Sequence, residues 1–166
     1  AGASLEIKDN QGGAKFTVGG TSNNGIYQNS DGTVKVYDSE FAVGGSTSNG
    51  IYASGNVAAT GTITVNNTAF NISGTSSNGI YMAGNSPTPL TVEGGTVFNL
   101  TGSNENGIYV NGTGAVNISD TTFNVNKTNS GSFTPPATSP TTNNNNGIFV
   151  RDGKTVASIK DSNFYV

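Results

Sequence analysis

The chain has 166 residues, of which 33% are hydrophobic and 10% charged, with 24 Gly, seven Lys plus Arg and a formal net charge of −3 at pH 7. Cys, His and Trp are absent, which excludes thiol chemistry, disulfides, the usual zinc ligand sets and a histidine general base. So few basic residues provide no stripe for phosphates, and no apolar run approaches a membrane span, so neither nucleic acid nor membrane insertion is expected of this segment.

The apolar residues fall in phase. Leu5/Ile7 opens the chain as an alternating apolar pair, Phe16/Val18 follows as a Phe with an aliphatic two residues on, and Asn24-Gly25-Ile26-Tyr27 completes the set. The same three motifs return in the same order as Val34/Val36, Phe41/Val43 and Asn49 to Tyr52, then Ile63/Val65, Phe70/Ile72 and Asn78 to Tyr81. Leu90/Val92, Phe98/Leu100 and Asn106 to Tyr109 form the next set. Val116/Ile118, Phe123/Val125 and Asn146 to Phe149 follow, and Ala157/Ile159 and Phe164/Val166 end the chain. Period-two alternation over three to five residues, rich in β-branched and aromatic types, reads as short half-buried strands. They are named here A (Asn-Gly-Ile-aromatic), B (the apolar pair) and C (the Phe pair).

Successive strand-A Asn residues lie 25, 29, 28 and 40 positions apart, and the step from the C-strand Phe to the next strand-A Ile is 10 residues at Phe16, Phe41, Phe70 and Phe98. Repeats of this period mark stacked units that bury a core only against their neighbours. The gaps leave no room for crossover helices, and equivalent residues recur in unreversed order, so like strands stack on like in parallel. A single-stranded parallel β-helix of about five and two-thirds coils follows, right-handed because parallel crossover connections overwhelmingly are. It forms one domain over residues 1–166. Its predicted internal stack is the Phe column of Phe16, Phe41, Phe70, Phe98, Phe123 and Phe164.

After each B strand sits Asp9, Asp38, Asn67, Gly94, Asp120 or Asp161, types that tolerate left-handed backbone or form their own Asx turn. Asn before Gly at the mouth of strand A has the same logic. Asn24, Asn49, Asn78, Asn106 and Asn146 can also hydrogen-bond to one another as an internal ladder, or contact a ligand instead. If the strand-A Ile residues point inward, Tyr27, Tyr52, Tyr81, Tyr109 and Phe149 point outward as an aromatic ladder. That ladder either stabilises the sheet by same-face stacking or offers a flat strip for sugar rings or a protein partner.

One segment breaks the period. Between Phe123 and Ile148 the step grows to 25 residues, with Pro135, Pro136 and Pro140 among Ser, Thr and Asn, predicting an extruded loop at about 127–145. Asn85-Ser86-Pro87-Thr88-Pro89 is a smaller excess that lengthens one A-to-B turn. Asp120 and Asp161 fill turn positions shared with Asn67 and Gly94, so no paired-carboxylate site of the glycosidase kind is expected. No catalytic residue, metal site or cofactor is predicted.

Coils such as Phe70-Asn71-Ile72-Ser73-Gly74-Thr75-Ser76-Ser77-Asn78-Gly79-Ile80-Tyr81, low in charge, free of Cys and rich in Asn, Gly and Thr, resemble the β-helical passenger regions of bacterial type V autotransporter adhesins. The resemblance lies in repeat style over nearly the whole chain and brings no functional motif. It implies a non-enzymatic protein, exported and displayed at the cell surface, that adheres to a host-cell protein or glycan or to other cells. The family's carboxy-terminal membrane barrel is missing, which implies a piece of a longer passenger or a small secreted subunit. Two further expectations stand beside it: a fibre subunit stacking end to end on copies of itself, and a polysaccharide lyase or hydrolase relative.

Overall fold

Strands of three to five residues separated by tight turns cannot bury a face alone, so each coil depends on the ones above and below it. The computed structural model describes residues 4–8, 13–29, 31–54, 61–125 and 144–166 and shows a parallel β-solenoid of three sheets, with no helix among these residues. The B sheet stacks Leu5–Ile7, Thr33–Tyr37, Thr62–Asn66, Leu90–Glu93, Val116–Ser119 and Ser158–Lys160. Lys15–Val18, Glu40–Val43, Ala69–Ile72, Thr96–Leu100, Thr121–Val125 and Asn163–Tyr165 make the C sheet. Asn24–Gln28, Asn49–Ala53, Asn78–Met82, Asn106–Val110 and Asn146–Val150 make the A sheet.

Register follows the repeat residue by residue. Phe16 pairs with Phe41, Phe41 with Phe70, Phe70 with Phe98, Phe98 with Phe123 and Phe123 with Phe164, each in a parallel ladder. The rings of this column lie inside the coil with centroids 4.5 to 4.9 Å apart and planes within 7° of parallel. Phe41, Phe70, Phe98 and Phe123 are fully buried among Ile51, Ile80, Ile108, Val36, Val65 and Val92. The first and last coils leave the same columns open, with Leu5 45% and Phe164 44% exposed, because a column is covered only by its neighbours on both sides.

The B-to-C turn column behaves as its residue types dictate. Asp38, Asn67, Asp120 and Asp161 have φ of 43 to 48°, and Gly94 has φ of 65°, all in the left-handed region that these residues enter most readily. Asp9 lies outside the described residues. The Gly of Asn-Gly-Ile has a different reason from the turn logic expected of it. Gly50 and Gly79 are absent from the left-handed residues, but a Cβ at Gly50 would sit 2.7 Å from the Gly79 carbonyl oxygen and 3.0 Å from the Phe70 ring. At Gly79 the distances are 2.7 Å to the Gly107 carbonyl and 2.8 Å to the Phe98 ring. Glycine is required there because the A sheet closes directly onto the Phe column, not because the backbone turns.

The expected loop at about 127–145 lies outside the described residues except for Asn144 and Asn145. The smaller excess at 85–89 is woven into the stack. Ser86 and Thr88 are fully buried and their hydroxyls lie 3.1 Å apart, and the Ser86 carbonyl accepts from the Thr113 and Gly114 backbone N–H groups of the next coil.

Candidate functional site

The outer side of the A sheet carries a groove of about 490 Å³, lined by Tyr52, Tyr81 and Tyr109 on one side and by Asn24, Asn49, Asn78 and Asn106 along its floor. Its second wall is the turn column Ser22, Thr47, Ser76 and Asn104. None of these side chains is charged at neutral pH.

The floor is a continuous amide ladder. Asn49 Nδ2 donates to Asn24 Oδ1, Asn78 Nδ2 to Asn49 Oδ1 and Asn106 Nδ2 to Asn78 Oδ1, each at 2.8 Å, and Asn146 Nδ2 donates to Asn106 Oδ1 at 3.0 Å. Asn49, Asn78 and Asn106 are buried, at 5 to 8% exposure, so this is the internal ladder expected from the sequence, and only the edges of these side chains border the groove beside the tyrosines. A second ladder runs up the outside of the C sheet, where Asn99 Nδ2 donates to Asn71 Oδ1 and Asn124 Nδ2 to Asn99 Oδ1, both at 2.8 Å.

The aromatic wall is outward, with Tyr27 56% and Phe149 39% exposed and the three middle rings half-buried, but it is not flat. Tyr52 and Tyr81 meet at 86°, and Tyr81 and Tyr109 at 77°, so the Tyr81 ring stands across its neighbours. Tyr27 with Tyr52 and Tyr109 with Phe149 differ by 32° and 30°. The same rung spacing that forces the enclosed Phe rings parallel leaves outward rings free to take the edge-to-face arrangement their quadrupoles favour. Burial, followed by the neighbouring phenols of Tyr81 and Tyr27, holds the Tyr52 hydroxyl above its ordinary pKa.

The opposite wall is strained. Ser22, Thr47, Ser76 and Asn104 all have φ between 51 and 58°, a region that costs non-glycine residues roughly 1 to 2 kcal/mol and is a clear outlier for β-branched Thr47. A repeated signal for this column is present in the chain, since Thr21-Ser22, Ser46-Thr47, Thr75-Ser76 and Ser103-Asn104 each stand just before an Asn-Gly-Ile. What spacing alone does not give is the backbone angle.

Behind the floor lies one residue that breaks its column. Ser48, Ser77, Glu105 and Asn145 each precede the strand-A Asn, and Glu105 is fully buried. In the coils on either side, Ser77 Oγ donates to the Gly45 carbonyl at 2.8 Å and Asn145 Nδ2 donates to the Gly102 carbonyl at 3.0 Å. Oε2 of Glu105 accepts from the Gly102 N–H at 2.8 Å, while Oε1 is buried without a partner. Desolvation raises the Glu105 pKa to about 7, and backbone hydrogen bonding offsets only part of that rise. Protonation removes the charge from a buried position that Ser and Asn fill in the neighbouring coils.

Among the described residues no cluster of acidic side chains could hold a metal ion, and no helix is long and apolar enough to cross a membrane. Comparison with protein-family models, characterised proteins and solved structures finds no match to this chain, so what the groove does has to be argued from its own chemistry.

Proposed function

We propose that this chain is a non-enzymatic binding module of a bacterial surface adhesin, a β-solenoid whose A-sheet groove engages a host-cell or neighbouring-cell partner. The observation that carries this reading is the strained wall. At the B-to-C turn the left-handed positions hold Asp, Asn or Gly, types that enter that backbone readily, whereas three of the four described wall positions are Ser22, Thr47 and Ser76, which do not, in backbone that glycine adopts without cost. Strain retained beside a groove marks side chains kept for contact. The low charge, the absence of Cys and the Asn-, Gly- and Thr-rich coils, which resemble autotransporter passengers, support the setting at the cell surface.

Two variants test it. Replacing Tyr52, Tyr81 and Tyr109 together with Ser leaves the coil folded, at a loss of about 0.2 to 1 kcal/mol per stacked pair, and abolishes adhesion to cells, because aromatic anchors dominate interface energy. Equal adhesion by the folded variant and the wild type removes the groove from consideration. Thr47→Gly relieves the left-handed strain and raises unfolding stability by about 0.5 to 1 kcal/mol, while adhesion falls. A variant that gains stability and adheres as well as wild type shows that the wall side chains are not contacts.

A further inference from the structure

We infer that the groove takes an uncharged, extended oligosaccharide laid along the solenoid axis, with its sugar faces against Tyr52, Tyr81 and Tyr109 and its hydroxyls on the Asn and Ser/Thr rows. The inference rests on the groove being the binding surface of the module and names what it binds.

Charge is the first constraint. Eleven residues line the groove and none is Asp, Glu, Lys or Arg. A sulfated or uronic-acid chain would lose hydration there with no guanidinium or ammonium to replace it, and a cationic ligand would find no carboxylate. Glu105, next to the floor, has its carboxylate bonded to the Gly102 backbone and is fully buried.

Hydrogen-bonding capacity is the second. Asn78 uses one N–H toward Asn49 and one oxygen lone pair for Asn106, which leaves one donor and one acceptor on a side chain that is 8% exposed where it borders the groove. Asn49 stands in the same position between Asn24 and Asn78. Thr47 Oγ1 donates to the Ser46 carbonyl at 2.7 Å, so in its 3.1 Å contact with Ser22 the Ser22 hydroxyl is the donor. A surface whose every polar group both donates and accepts matches a ligand made of hydroxyls, each of which also does both.

Shape is the third. Three of the four strands that line the groove, Asn49–Ala53, Asn78–Met82 and Asn106–Val110, are paired on both sides, and only the end strand Asn24–Gln28 has an open edge, so a peptide cannot occupy the length of the groove by adding a strand. From the rung of Asn24 to the rung of Asn106 the floor runs three steps of about 4.8 Å, roughly 14 Å in all, the length of a short oligosaccharide and not of a single sugar. Tyr81, turned across its neighbours, presents a different ring aspect from Tyr52 and Tyr109, so successive sugars meet unlike surfaces and the chain is held in one register.

The test is calorimetric titration of the 166-residue chain with neutral hexasaccharides built of glucose, mannose, xylose or N-acetylglucosamine. Hexagalacturonate and a sulfated hexasaccharide serve as charged probes. At least one neutral probe binds, its affinity is the same at low and high salt, it weakens about tenfold or more on shortening to a disaccharide, and it weakens by a similar factor in Tyr81→Ala and Asn78→Leu. Circular dichroism and unfolding curves of both variants show whether they are folded. Tyr52→Ser replaces Asn78→Leu if the latter is not. Binding of the charged probes alone, or salt-sensitive binding, overturns the inference. If no neutral probe binds but the tyrosine triple variant still loses cell adhesion, the groove binds a protein and only the ligand class is wrong. If adhesion is also unaffected, the groove reading fails with it.

Discussion

Replacing Phe70 with Ala lowers the unfolding free energy by about 3 to 5 kcal/mol, the range for deleting a large aromatic from a site that cannot collapse. Phe70 is fully buried, and its ring is stacked between Phe41 at 4.8 Å and Phe98 at 4.7 Å, within 7° of each. The void cannot close by sliding a coil, because backbone hydrogen bonds fix the rung spacing on all three sheets. Gly50 and Gly79, which approach the Phe70 and Phe98 rings, also have no side chain to fill it. The same truncation at Phe164, already 44% exposed, costs markedly less. Urea unfolding of the two variants checks the contrast. A Phe70→Ala protein within about 0.5 kcal/mol of wild type, the range usual for surface substitutions, would mean the column is not the core.

Stability falls as pH rises through the range set by Glu105. Its carboxyl titrates at about 7 in the folded chain against an ordinary value of 4.5, so the folded state holds the proton more tightly than the unfolded one. The contribution is therefore complete below about pH 4.5 and is lost progressively as pH climbs to about 7, up to about 3 kcal/mol in total. Glu105→Gln puts a permanently neutral amide of the same shape in the buried position, so no charge has to be desolvated at any pH. The variant should match wild type at acid pH and exceed it above neutrality by most of that amount. Parallel pH profiles for the two proteins, measured by denaturant unfolding, would show that Glu105 is not the group responsible.

Much of this was legible in the chain. A residue recurring at a fixed step in a solenoid must stack on its own copies, so the Phe, Ile and Asn columns, the three sheets and the strand register could be read from spacing alone. The left-handed Asp and Asn turn after strand B could be read from residue type, since few side chains tolerate that backbone. Where spacing and type point to the same place, tertiary structure has nothing to add.

Tertiary structure decided what lies across columns. Asn78, Tyr81 and Ser76 are near one another in sequence, but that they form the floor and two walls of one groove depends on how the coil bends between the C and A strands, which periodicity does not record. The sequence assigns the strand-A glycines to a turn, whereas the space they leave is taken by Phe rings from another sheet. Tyr81 stands across its neighbours because an outward ring is free to follow its own electrostatics, a freedom invisible in a repeat of identical letters. Glu105 reads as one acidic residue among ten. Only its enclosure beside the Gly102 backbone, in a column otherwise filled by neutral Ser and Asn, makes it titratable near neutrality, because desolvation is a property of the surroundings and not of the residue.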